Sequence, residues 1–337
     1  MNTPKATGAR WMIDKPLSLS LPVLLVIAAA AAVVRGQTPE GTSIGTANPK
    51  QLLTLDQIRD VSASERKAIQ RLTLHEQQSM ETQGTSAQRE RLRQRLKDSV
   101  AGRTGPDAPI DIEESMTVAE LNQKMELEVT RRVDKVASVV RVDVRDLRDL
   151  PRLIAEHDLS DRAASGLDQS RSVIFENSRH VLMSEGRDLA VVTPPDSSLE
   201  DELSFDRLGI VPPFVFSGDY HCEVVPAGDH AYSIIGRQSG RLVFEVKVDP
   251  QKSFRMLSRK HYEADGTTVG WSREYSTYQS FDGAWIPRQV VEQSARDGQA
   301  NYRTIVYTTL SATINAHISD AAFAIPKNYK VQDIRPK

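Results

Sequence analysis

Cysteine is nearly absent from this chain of 337 residues: Cys222 stands alone. No intramolecular disulfide can form, and cysteine-based zinc sites are excluded. Charge of either sign is also scarce as a net quantity, -2 from 43 basic and 45 acidic residues. Without a basic excess there is no electrostatic footprint for nucleic acid. Apolar residues make up 39%, below the ~45–50% usual for globular chains with glycine counted. Some of the chain is therefore expected to be solvated helix or linker rather than core.

Catalytic and metal-binding patterns are missing as well. Gly236-Arg237-Gln238-Ser239-Gly240 has its serine fourth in the five, not third, and lies between two strand-like runs. A nucleophile elbow needs strand then helix, so this is a hairpin turn. His221 and Cys222 are adjacent and would point to opposite faces of a strand, so they cannot share a metal. His221 and His230 could meet across a hairpin, but no acidic cluster supports them. Asp143, Asp146 and Asp149 alternate with arginines at three-residue spacing. On a helix that is a self-paired solvated face, and a calcium loop would need acids at alternate positions with a turn glycine. No catalytic residue, metal or cofactor is expected, and the chain is read as a non-enzyme.

One long hydrophobic run is present. Lys5, Arg10 and Lys15 oppose a single Asp14, and Leu17 to Val34 follows without a charge. A basic flank before an apolar core is what export machinery reads. As a helix the 18 residues span ~27 Å, close to the ~30 Å hydrocarbon core. The small residues Ala28–Ala32 suit a cleavage site, and the polar stretch after Gly36 suits a linker beyond a retained anchor. Both readings stay open. Either predicts an exported protein, periplasmic or held to the membrane by residues 17–34. A lipid-modified cysteine would have to follow the run directly, so none is expected.

Beyond residue 36, three regions differ in character. Residues 37–115 read as linker and helix: Leu52, Leu53, Leu55, Ile58 and Val61 recur at helical spacing, Ser62 or Ser64 could cap the next segment, and SASERKAIQRLTLHEQQSMETQ and SAQRERLRQRLKDSV are polar and free of proline. A third helix is expected from Thr117 to about Met125. The stretch through Val129, Val133, Val139, Val140 and Val142 alternates as one or two strands, with helix as the alternative. From Ser172 the pattern is β: three short runs, a polar and Pro-rich interruption at 194–213, then seven runs with tight turns and a recurring Asp-Gly. Seven strands so joined argue an antiparallel meander. Residues 116–337 are thus read as one sheet domain, with 1–36 the signal or anchor.

The meander should have one apolar face. Phe244, Val246 and Val248 alternate with Glu245 and Lys247; Phe254, Met256 and Tyr262 with Arg255 and His261; Val269, Trp271 and Tyr275 with Ser272 and Glu274. That face needs a cover, either the upstream helices, a ligand or both.

The C-terminal half, about 170–337, resembles the half-barrel superfamily of outer-membrane lipoprotein carriers and sorting proteins (LolA-like). The carrying residues are Asp249-Pro250, Ala264-Asp265-Gly266, Tyr275 and Tyr278, Asp282-Gly283-Ala284-Trp285-Ile286-Pro287, and Phe323 to Pro326 before a short strand at Val331. The resemblance implies an α+β fold: a strongly curved antiparallel sheet, its concave side filled by helices, with a cavity for acyl chains. It implies a lipid or lipoprotein as ligand, and envelope proteins as further partners. The expected lining is Phe244, Val246, Phe254, Met256, Val269, Trp271 and Tyr275. The rival is an anchored structural or sensory module, its core closed and its partners proteins.

Overall fold

The computed structural model describes residues 53–335 apart from 85, 102–110, 185–186, 196–198, 200–202, 204, 229 and 297–298. The apolar segment 17–34 and the linker after it lie outside the described residues. No described helix is long and apolar enough to cross a membrane.

Fourteen strands form one curved, unclosed sheet. Its first half is β1 (Arg71–Thr82), β2 (Lys124–Asp134), β3 (Val139–Asp146), β4 (Arg171–Glu176), β5 (Arg179–Ser184) and β6 (Leu189–Thr193). Its second half is β7 (His221–Pro226), β8 (Tyr232–Gln238), β9 (Arg241–Asp249), β10 (Arg255–Tyr262), β11 (Val269–Phe281), β12 (Ala284–Arg296) and β13 (Gln299–Ile314). Each half is an antiparallel meander, and the two join where β1 pairs with β13, Leu72 opposite Ile314. The short β14 (Lys330–Asp333) adds in parallel beside β6. The seven expected runs of the second half are seven strands, and the family-like turns have local causes. Asp249 caps the 3₁₀ turn Pro250–Lys252, and Asp265 accepts the amides of Thr267 and Thr268. Asp282 and Gly283 both hold positive φ between β11 and β12, the geometry of a type I′ hairpin.

The region read as linker and helix keeps its helix at Ser86–Ala101 and is corrected at residues 71–82. α1 (Leu55–Ala68) begins at Thr54, whose hydroxyl and Gln57 form a reciprocal capping box, more than two turns before the serines expected to cap. The helix stops at Ile69, and residues 71–82 form β1, a strand in the middle of the sheet. Leu72, Leu74, Glu76, Gln78, Met80 and Thr82 all face inward and are buried. Two buried polar residues, Glu76 and Gln78, break the apolar alternation that would have marked the strand. The sheet unit therefore starts well before residue 116. Residues 124–134 and 139–146 are two strands, not helix, and the acid–arginine run pairs in sheet fashion: Asp143 with Arg132 on the neighbouring strand and with Arg141 two residues before it, Asp146 with Arg148 just beyond the strand.

Strand order explains the segment between β6 and β7. β6 lies beside one edge strand and β7 forms the opposite edge. The connection must cross the whole sheet, and it does so along the inner face. Leu199, Phe205, Leu208 and Ile210 pack against Leu72, Leu74, Val129, Val133, Val140 and Ile286. Val211, Phe214 and Val215 then pack with Ile58 of α1 against Ile234, Phe244, Val246, Met256 and Tyr275. The stretch read as a polar interruption is thus a covalent plug. On the outer face, Phe323, Ile325 and Tyr329 of the C-terminal segment cover Val139, Ile174, Val181, Met183 and Val192.

Candidate functional site

The plug leaves part of the inner face open. Between its first and second halves lies a cavity of about 490 Å³, walled by Leu72 and Leu74 of β1, Val133 of β2, and Phe205, Leu208, Pro212, Pro213 and Phe214 of the plug. Trp271 of β11 closes one side. The size falls within the ~300–1,000 Å³ range of small-molecule sites. Four guanidiniums, those of Arg131, Arg207, Arg259 and Arg273, line the same space together with the Asp206 carboxylate.

Asp206 is placed by the plug's backbone. Phe205 and Gly209 both take left-handed φ, 57° and 74°, around the short 3₁₀ turn Asp206–Leu208. Gly209 also passes so close to the Tyr278 side chain that a Cβ would clash with it, and its carbonyl accepts the Met256 amide at 2.7 Å. Glycine meets both demands. The turn aims Asp206 at three donors: Arg259 at 2.6 Å, Arg273 at 2.7 Å and the Tyr275 hydroxyl at 2.8 Å. Arg273 also donates to Glu292 at 2.6 Å. On the far side Arg131 donates to Glu76 at 3.3 Å, and Arg207 stands 3.8 Å from the same carboxylate.

Burial pushes the Asp206 carboxyl up, but Arg273, Arg259 and the Tyr275 hydroxyl outweigh it and hold it below the ordinary carboxylate value. Glu292 follows the same balance, with Arg273 as the decisive partner. Burial and then Asp206 push Tyr275 well above the usual phenol value. His261, facing Phe244, Phe214 and Trp271, is pushed down to about 4 by burial and by Arg259. Arg259 donates to its Nε2 from both Nε at 3.0 Å and Nη2 at 2.8 Å. An arginine cannot accept, so the imidazole is neutral with its proton on Nδ1. The aromatic rings hold the guanidinium planes. Arg259 stacks 4.7 Å from the Phe214 centroid and 4.9 Å from Trp271, Arg273 4.9 Å from Trp271, and Arg207 4.0 Å from Tyr307.

Of the seven residues expected as lining, Trp271 reaches the cavity. Phe244, Val246 and Met256 are fully buried and Tyr275 is 4% exposed, all inside the core that Ile58, Val211 and Val215 close. Phe254 packs at the margin of that core, and Val269, half-buried, begins β11. The expected phase of β10 is also corrected. A bulge between Met256 and Ser258 adds a residue and flips the faces beyond it. Arg259 and His261 turn inward, and Tyr262 turns outward to Glu245. His221 lies opposite Arg237, not His230, and Gly236–Gly240 spans the β8–β9 hairpin.

The arginine network was not found in the sequence, although signals for it exist. Arg273 shares strand phase with Trp271 and Tyr275. In the plug, residues 205–216 hold Phe205, Leu208, Ile210, Val211, Phe214, Val215 and Phe216, far too apolar for a solvated loop.

No family model matches the chain, and no curated protein matches it. Solved structures similar to it include these three. A LolA superfamily protein from Nitrosomonas europaea shares 12% identity over 81% of this chain and 98% of its own, with a TM-score of 0.39. A DUF1329 family protein from Desulfovibrio piger shares 10% identity over 80% of this chain and 97% of its own, with a TM-score of 0.42. An uncharacterized conserved protein from Thermus thermophilus shares 10% over 82% and 98%, with a TM-score of 0.32. These are likenesses of fold, and the LolA superfamily, which residues 170–337 resemble in sequence, is named among them.

Proposed function

We propose that the protein is a non-catalytic, exported binding protein that holds an acyl chain, free or on a lipoprotein, in the cavity of its inner face. The observation that carries this is the cavity itself: about 490 Å³, with leucine, valine, proline, phenylalanine and tryptophan side chains along its walls beside four arginines and Asp206. Each methylene buried there contributes ~0.8 kcal/mol. The export segment read from sequence at 17–34 supports this reading, since it would bring the protein among membrane lipids, where acyl chains need a carrier or a holder.

The test is a lipid extract of the purified protein, read by mass spectrometry, beside displacement of a fluorescent fatty acid. A stoichiometric lipid or saturable displacement is expected. Protein that carries no lipid and ignores the probe contradicts the reading. One observation favours a second reading, an anchored module with protein partners: the half of the inner face around Phe244 and Met256 is closed by the chain's own side chains. That reading requires the mature chain to keep residues 1–36 and pellet with membranes.

A further inference from the structure

A site for a plain hydrocarbon would not be walled by arginines. Arg259 and Arg273 each have five N–H groups. Among the described residues, Arg259 uses three on Asp206 and His261, and Arg273 uses three on Asp206 and Glu292. Two remain on each, at the edge of planes that stacking on Trp271 and Phe214 holds fixed. A ligand lying wholly apolar against them would strip their water and return no hydrogen bond.

Asp206 shows what the wall accepts. It is a carboxylate bridging two guanidiniums at 2.6 and 2.7 Å, supplied here by the chain itself. A fixed guanidinium fork matches a planar carboxylate or a phosphate oxygen pair better than any neutral group. The same wall repels a cationic head.

We propose that the cavity selects an amphiphile with one anionic head, a carboxylate or a phosphate monoester, seated against Arg207, Arg259 and Arg273 with its chain along Leu72, Leu74 and Val133. The proposal rests on the acyl-binding reading above and narrows it to a headgroup class. Neutral lipids, sterols and choline-headed lipids are then poor ligands.

The test titrates the full-length chain at neutral pH and low salt with four probes: hexadecanoate, hexadecyl phosphate, hexadecanol and inorganic phosphate. The two anionic amphiphiles are expected to bind at least about tenfold tighter than hexadecanol, which is ~1.4 kcal/mol. Inorganic phosphate is expected to bind more weakly than hexadecyl phosphate. Added salt should narrow the gap. Arg207→Gln, checked for fold by circular dichroism, should bring hexadecanoate down toward hexadecanol. Hexadecanol binding as tightly as hexadecanoate overturns the headgroup proposal and leaves acyl binding standing. No binding of any long-chain probe overturns both. Inorganic phosphate binding as tightly as hexadecyl phosphate means an anion site without a chain subsite, and that too overturns the proposal. If Arg207→Gln does not fold, the ranking of the four probes on the unaltered chain decides alone.

Discussion

Asp206 accepts hydrogen bonds from two arginines and a tyrosine, on a turn that two left-handed residues hold in place. Removing its charge leaves Arg259 and Arg273, cross-strand neighbours on β10 and β11, side by side with one carboxylate fewer. Breaking a buried ion pair by taking one partner costs ~3–5 kcal/mol. Asp206→Asn should therefore lower unfolding stability by ~3 kcal/mol in denaturant titrations, and a loss under ~1 kcal/mol would show that the network is not structural. His261 gives the same site a pH signature. Its folded value, about 4, lies below the ordinary 6.5, so the unfolded chain binds the proton more readily between those values. The stability that neutral His261 contributes is complete above pH 6.5 and is lost as pH falls toward 4. Allowing for solvent screening, the loss is ~2 kcal/mol. His261→Gln keeps the acceptor for Arg259 and should flatten that part of the stability curve relative to the unaltered chain. Identical slopes for the two proteins would contradict the placement.

Among the elements, the strands were more legible than their phases. The second meander could be read from its Asp-Gly turns and alternating runs because tight hairpins and half-buried strands leave local marks. β1 could not, since Glu76 and Gln78 occupy inward positions where apolar residues were expected and only the fold supplies their neighbours. The β10 bulge hid the site in the same way: one extra residue carried Arg259 and His261 to the inner face, where simple alternation put Met256 and Tyr262. The β8–β9 pair offers a test of packing at this scale. Gly236 lies opposite Phe244, whose ring covers it so closely that an added Cβ would overlap the ring. Gly236→Ala should cost ~1–3 kcal/mol as overpacking. Phe244→Leu in the same chain should give part of that back, a coupling that a double-mutant cycle measures. Independent, additive costs would mean the ring does not sit on the glycine.

At the scale of the whole molecule, one sheet serves two cores. The inner core is made by the plug and α1, the outer one by the C-terminal segment across β3 to β6. A chain ending at Ile318 should lose hydrogen-exchange protection in β4, β5 and β6 while β8 to β12 keep theirs, because only the outer cover is gone. Uniform loss across the sheet would show that the cores are not separable. The plug's path follows from strand order and could not be read from residues 194–213 alone: a connection between opposite ends of a sheet must cross it, and this one carries enough apolar residues to be buried. The cavity exists because the plug turns at Asp206–Gly209 instead of filling the space under Arg259 and Arg273. The central claim is that an acyl ligand lies there. Trp271 lines the cavity and Trp285 is not among its lining residues, so a chain with Trp11→Phe and Trp285→Phe reports from the cavity alone. Titrated with hexadecanoate, its tryptophan emission should change saturably with one ligand per chain, while a chain keeping only Trp285 stays flat. An unchanged Trp271 signal in a folded protein, or a change seen equally from Trp285, would contradict the claim.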